Sequence, residues 1–322
     1  MIVHAVTISG GDLLWDERPD PVPGDTEVLV RVQAAGLNGA DMLQRAGLYP
    51  APPGAPPDIP GLELAGEVVS CGRRVSSLSP GARVAAIVPG GAQAELACVE
   101  EATLMPLPDA VAWPAAGGFP EVFSTAYDAL FRQCALGLGE RVLVTGAAGG
   151  VGTAALQLAA AAGARVTASA RRAPEHESAL VALGAVAVVE PEDDAAIGEG
   201  GPYDVVLELV GAPSLERLLP HLATVARVSV IGVSAGAQAR VNLLALMGAR
   251  ASIRGSTLRS RPLAEKAILA AEVASRVLPL LADGTLRVPV AATYPMEEAA
   301  AAYERFAAGG KLGKIVLSGP AH

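Results

Sequence analysis

From Met1 to about Ala112, short Val-rich runs alternate with clusters of Pro and Gly; EVLVRV (Glu27–Val32), LAGEVVS (Leu64–Ser70) and ARVAAIV (Ala82–Val88) are the clearest. Runs of this length, β-branched and bounded by turn formers, predict strands of a mostly antiparallel β domain. The stretch YPAPPGAPPDIPG, Tyr49 to Gly61, predicts a surface loop, because each proline removes a backbone donor and fixes φ.

After Pro114 the pattern changes to apolar strands alternating with Ala-rich, helix-forming segments. The strands are RVLVT (Arg141–Thr145), ARVTAS (Ala164–Ser169), AVAVVE (Ala185–Glu190), YDVVLELV (Tyr203–Val210) and ARVSVIGV (Ala226–Val233). Continuous apolar strands, each followed by a helix, predict a doubly wound α/β unit: a parallel sheet covered on both faces. A further strand, ASIRGSTL (Ala251–Leu258), is expected to complete it. Pro262 to Ala282 and Pro295 to Ala308 read as helical, and the terminal LGKIVL, Leu312 to Leu317, is expected to return to the first domain. The division predicted is 1–113 with 259–322, and 114–258. No internal repeat or low-complexity linker separates them.

Composition and charge narrow the functions open to such a chain. Hydrophobic residues make up 51% of the 322 residues and aromatics 3%, the Ala/Val/Leu filling of layered α/β proteins. A formal net charge of -9 gives no overall attraction to nucleic acid or anionic membrane. Cys71, Cys98 and Cys134 are isolated from one another, a poor disulfide or zinc framework that fits a reducing cytoplasm. The N-terminus reads as a strand and turn rather than a signal peptide, and the Ala-rich Ala154–Ala164 falls short of a membrane span.

The strongest local signal is RVLVTGAAGGVGTAALQLA, Arg141 to Ala159: strand, glycine-rich turn, helix. Gly146, Gly149 and Gly152 recur every third residue, with Gly150 and Val151 between them. Small residues let the backbone approach a pyrophosphate, and free amides at the helix start face its charge. The spacing departs from the literal G-x-G-x-x-G, yet the flanking strand and helix predict a dinucleotide site. At the end of the next strand an NAD site carries an acid, whereas here the chain reads TASARRAPE. Ser169, Arg171 and Arg172 stand there instead, which predicts NADPH over NADH; spacing leaves open which arginine meets the 2′-phosphate.

These motifs, with AAGLNGADMLQRAGLYP (Ala34–Pro50), PGLELAGEV (Pro60–Val68) and GGKLGKIVL (Gly309–Leu317), make the whole chain resemble the zinc-independent quinone oxidoreductases of the medium-chain dehydrogenase/reductase superfamily. The loop before Glu63 and STLRSR (Ser256–Arg261) resemble the p53-inducible branch, although Gly149 stands where that branch can carry Ser. The resemblance implies a Rossmann domain plus a GroES-like domain. Alcohol dehydrogenase relatives hold zinc with a Cys and a His where this chain has Asn38 and Leu62, and His4, His176, His221 and His322 are scattered, so no metal is expected. Without a strong Lewis acid, the substrate must itself be activated, as a quinone or an α,β-unsaturated carbonyl is.

The resemblance further implies that Asn38, Asp41 and Tyr49 lie on the substrate side of the nicotinamide. Tyr49 is the first candidate to give a hydrogen bond or proton to the acceptor oxygen, Asn38 a second donor, and Asp41 an orienting group or helix cap. Thr125 is matched to a threonine beside the nicotinamide, with a helix start as the alternative. The carboxamide is expected to meet backbone around Ile231, Gly232 and Val233; Leu258 and Lys314 are carried over as further coenzyme contacts. A homodimer through the Ala251–Leu258 strand is also implied. Reduction of an enal, enone or enoyl thioester double bond is the alternative chemistry, and a non-catalytic NADPH- or RNA-binding protein the alternative of another class.

Overall fold

The computed structural model describes residues 2–320; His322 lies outside them. The chain opens with the hairpin β1 (Ile2–Ser9) and β2 (Asp12–Pro19), turned by Gly10 and Gly11, both at positive φ. Then come β3 (Glu27–Gly36), α1 (Gly39–Arg45), β4 (Glu63–Cys71), β5 (Arg83–Ile87), β6 (Leu96–Glu100), β7 (Leu104–Pro106), α2 (Trp113–Gly117) and α3 (Pro120–Tyr127). An alternating stretch follows: β8 (Arg141–Val144), α4 (Gly150–Ala161), β9 (Arg165–Ser169), α5 (Ala173–Val181), β10 (Ala185–Val189), α6 (Asp194–Gly200), β11 (Tyr203–Glu208), α7 (Ala212–Leu218), β12 (Leu222–Val230), α8 (Leu243–Ala249) and β13 (Ser252–Gly255). The chain ends with α9 (Leu263–Arg276), α10 (Leu278–Ala282), β14 (Val290–Pro295), α11 (Ala299–Ala307) and β15 (Lys314–Ser318).

Two compact units result: residues up to Ser124 with those from Leu258 onward, and Thr125–Thr257. The hydrophobic pattern puts the first line at 113/114, ahead of α3; the compact division falls inside that helix.

In the first unit the strands order as β14-β15-β3-β4-β5-β7, with β6 also on β3. All pairs but β14 with β15 are antiparallel, and β15 lies against β3 through Val316 opposite Gly36. Strand alternation sends Val28, Val30 and Val32 inward, where they join Leu64, Val84, Ile315, Leu317 and Tyr303 in one core. Each such side chain withdrawn from water contributes about 1.5–3 kcal/mol. The Tyr49–Gly61 segment forms neither helix nor strand.

In the second unit six parallel strands order as β10-β9-β8-β11-β12-β13. Numbered within the unit this is 3-2-1-4-5-6, the doubly wound Rossmann order, whose ligand crevice opens at the carboxyl ends of the first and fourth strands. Val142, Leu143 and Val144 of β8 are wholly buried, the reason these strands read as unbroken apolar runs.

Three expectations are corrected. The last strand of this sheet covers only Ser252–Gly255, not Ala251–Leu258, and Leu258 belongs to the other unit. The helix expected over Pro262–Ala282 is two helices, broken around Val277, whose φ/ψ of -108/-45 precede Pro279 in the first turn of α10. That over Pro295–Ala308 starts with a 3-10 turn, Met296–Glu298, before α11.

Candidate active site

The glycine turn and most of the residues expected to meet the coenzyme lie in the second unit, at the ends of β8, β9, β11 and β12. Gly146 takes φ +58, and Gly149 caps α4 with its amide on the Gly146 carbonyl at 2.9 Å. The amides of the first helical turn have no partner one turn back within the helix, and no acidic residue stands in that turn. A Cβ on Gly152 would lie 2.6 Å from the Ala147 Cα, so the turn closes only around glycine. These features fit a dinucleotide pyrophosphate.

Ser169 ends β9, 3% exposed, its carbonyl receiving the Ala147 amide at 3.0 Å. The two arginines separate beyond it. Arg172 adopts left-handed φ/ψ of 60/41 as the cap of α5, and its guanidinium is bound by the Glu175 carboxylate. Arg171 is exposed and forms no ion pair among the described residues. A residue not singled out from the sequence, Glu208, organises the neighbouring loops. Wholly buried at the end of β11, its carboxylate accepts from Thr145 Oγ1 (3.0 Å), the Val210 and Gly211 amides (2.7 and 2.8 Å) and Ser214 Oγ (2.7 Å). The amides of Ile231 and Gly232 both point to the Glu208 carbonyl, at 2.9 and 3.2 Å. Thr125 is the sixth residue of α3, so the helix-start alternative falls.

In the first unit, α1 and β4 bring together a buried ionic cluster. Lys314, 2% exposed, directs its ammonium to Glu63 Oε1 (2.7 Å), Asn38 Oδ1 (2.7 Å) and the Leu37 carbonyl (2.5 Å). Three acceptors use all three of its donors, and Lys314 neutralises Glu63. The Asn38 amide nitrogen donates to Glu63 Oε1 (2.8 Å) and the Gly36 carbonyl (3.3 Å), which ties the start of α1 to β4. Gly36 is required because a Cβ there would strike both the Glu63 carboxylate and the Gly117 carbonyl.

Asp41, wholly buried, accepts from the Asn38 amide (2.8 Å) and the Gly61 amide (3.2 Å), the carboxylate half of a capping box that also ties α1 to the loop. Burial pushes its carboxyl up to about 6 against these hydrogen bonds and the attraction of Lys314. Glu121, whose amide donates to Glu63 Oε2 at 2.9 Å, is raised to about 8, first by burial and then by the Glu63 charge. Tyr49 is half-buried with Arg259 over its ring, the guanidinium carbon 5.0 Å from the centroid. Leu258 is buried beside Ser124 and Lys266. Glu63, Glu121 and Arg259 went unnoticed in the sequence; a lone charge inside an apolar strand, as in LELAG, is the signal that could have found the first.

Among the described residues no three His, Cys, Asp or Glu side chains are grouped to hold a metal ion. Residues 24–109 match the family pattern "Alcohol dehydrogenase GroES-like domain" and residues 183–317 match "Zinc-binding dehydrogenase". The chain is 33% identical to the quinone oxidoreductase of Lama guanicoe over 92% of its own length and 90% of that protein. It is also 33% identical, over 93% of its length, to 14% of a phenolphthiocerol/phthiocerol polyketide synthase of Mycobacterium tuberculosis. A probable oxidoreductase from Mycobacterium abscessus superposes with a TM-score of 0.85 at 31% identity, over 99% of both chains. The chain therefore belongs to the medium-chain dehydrogenase/reductase superfamily of oxidoreductases that use a nicotinamide coenzyme, and quinone oxidoreductases are among its near full-length relatives.

Proposed function

We propose that this protein is a zinc-free, NADPH-dependent reductase of quinones. The observation that carries the coenzyme choice is the end of β9: an exposed Arg171 without an ion pair and no acid to hold ribose hydroxyls. Residues 125–257 serve the coenzyme and the rest of the chain the acceptor. Bound NADPH supplies a hydride. The amides opening α4 hold the pyrophosphate, Gly146 and Gly152 keep that approach open, and Arg171 takes the 2′-phosphate while Arg172 stays with Glu175. With Asn38 and Leu62 where zinc-dependent relatives have ligands, the acceptor must be a hydride acceptor through its own conjugation. Hydride addition leaves one quinone oxygen negative, and Tyr49 gives it a hydrogen bond or proton. Asn38, Asp41, Glu63 and Lys314 support the acceptor side by fixing α1 and the start of the loop.

Likeness to a polyketide synthase segment favours a second reading, reduction of an enoyl thioester or enone double bond by the same groups. Steady-state rates with a panel of quinones, 2-alkenals and enoyl thioesters decide between the two. The quinone reading predicts the highest kcat/KM with quinones, and no NADPH oxidation with any acceptor overturns both. Parallel titrations with NADPH and NADH test the coenzyme, and equal affinity refutes that choice; stoichiometric zinc needed for turnover refutes the metal-free reading. The protein is further proposed to be cytoplasmic and homodimeric through the outer edge of β13, the terminal strand of its sheet. A monomeric mass in light scattering would contradict the dimer.

A further inference from the structure

Arg259 is a cation placed where charge is costly. It is 5% exposed, and each of its three hydrogen bonds ends on a neutral oxygen: Nε on the Pro89 carbonyl (2.7 Å), one terminal nitrogen on the Tyr49 carbonyl (3.0 Å) and the other on Gln44 Oε1 (2.6 Å). Burial lowers its affinity for its proton, and Tyr49, then Asp41 and Glu121, act in the opposite direction. Neutral oxygens compensate a buried guanidinium only partly, so a side chain serving merely as a strut would be better made neutral.

The three oxygens belong to three separate segments. Gln44 is on α1, Pro89 follows β5, and Tyr49 opens the proline-rich loop between α1 and β4. The far end of that loop is held chiefly by Arg18 on Asp58 at 2.6 Å and by the Ile8 amide on the Asp58 carbonyl, with a longer bond of 3.5 Å from the Gln44 amide nitrogen to the Pro57 carbonyl. Arg259 fixes the near end, and its guanidinium lies over the Tyr49 ring as well as on the Tyr49 carbonyl. Backbone and ring of one residue are thus gripped by one rigid, planar group, which a flexible ammonium does not reproduce.

We propose that Arg259 is the positioning residue for Tyr49, its fork pinning the Tyr49 backbone while its charged plane sets the direction of the phenol toward the acceptor. This rests on the reading that Tyr49 donates to the acceptor, and the two ideas fail differently.

The experiment compares wild type, Tyr49→Phe, Arg259→Met, the double variant and Arg259→Lys at saturating NADPH, with the quinone that turns over fastest. Tyr49→Phe is expected to lower kcat about 100-fold, in the range of a lost proton donor. Arg259→Met is expected to lower kcat about tenfold, the scale of a misplaced catalytic group, with acceptor KM changed less than about threefold. Added to Tyr49→Phe it should cost less than about a further twofold, because residues acting as a unit are non-additive. Arg259→Lys should not restore the rate. Full multiplicativity in the double variant, or wild-type kcat in Arg259→Lys, overturns the proposal. Wild-type kcat in Tyr49→Phe overturns the parent reading instead. Should Arg259→Met fail to fold, Gln44→Leu removes one arm of the grip. Its loss of about threefold in kcat must then vanish in the Tyr49→Phe background, and a loss that persists there is equally fatal.

Discussion

The parallel-sheet unit meets its proposed ligand with backbone amides and an arginine in water, whereas the antiparallel unit keeps Asp41, Glu63, Arg259 and Lys314 at 5% exposure or less. The contrast follows from what each must hold. A pyrophosphate carries its own charge and is satisfied by amides and a helix terminus, so the protein supplies shape. An uncharged conjugated acceptor brings little, so the protein must supply precisely held side chains, and holding them takes buried charges met by an opposite charge, as Glu63 is by Lys314, or by hydrogen bonds, as Asp41 and Arg259 are. The first solution is sensitive to volume and the second to protonation.

Substitutions can break each half of this contrast separately. The largest effect is expected from Lys314→Met, which leaves Glu63 buried without its cation and costs about 3–5 kcal/mol of stability, read by thermal or urea unfolding. If Lys314 instead served the coenzyme, the variant would weaken NADPH binding with its unfolding midpoint unchanged. Next is Gly152→Val, whose side chain has no room above Ala147; overpacking should cost about 1–3 kcal/mol and abolish measurable NADPH binding by fluorescence titration.

A smaller and purely electrostatic effect is expected at the end of β9. Arg171→Ala should weaken NADPH about tenfold and leave NADH unchanged, as the loss of a charge-assisted hydrogen bond does. Arg172→Ala should do less, because that guanidinium already holds Glu175. Equal effects on both coenzymes would show that the pair does not read the 2′-phosphate. The smallest effect is a slope. Asp41 and Glu121 hold protons more tightly folded than unfolded, so stability is greatest below their unfolded values of 3.8 and 4.5 and declines as pH rises toward about 6 and about 8. Glu121→Gln should flatten the upper part of that decline, measured as unfolding midpoints between pH 5 and pH 8.5, a range chosen to span roughly both values. An unchanged slope would mean that Glu121 is not the group being titrated.

The alternation of Val28, Val30 and Val32, the unbroken RVLVT run and the glycine turn made both sheets legible, because strand period and turn chemistry are local. The short reach of β13 and the break around Val277 were not, since an edge strand ends where its neighbour does and a helix bends where packing allows. At the site, Asp41 was legible as a helix-capping acid, its carboxylate taking the Asn38 amide three residues back along the chain. The contact between Asn38 and Lys314 was not legible, since it joins residues 276 positions apart.

What the sequence determined by itself is therefore the layered architecture, the glycine turn, and the arginines standing where an acid would select NADH, all set by neighbours within a few turns of chain. Only the tertiary structure decided which charges are buried, which of two adjacent arginines is already engaged, and which cation stands over Tyr49. Those outcomes depend on desolvation and on hydrogen bonds between distant segments, and neither exists until the chain has closed around them.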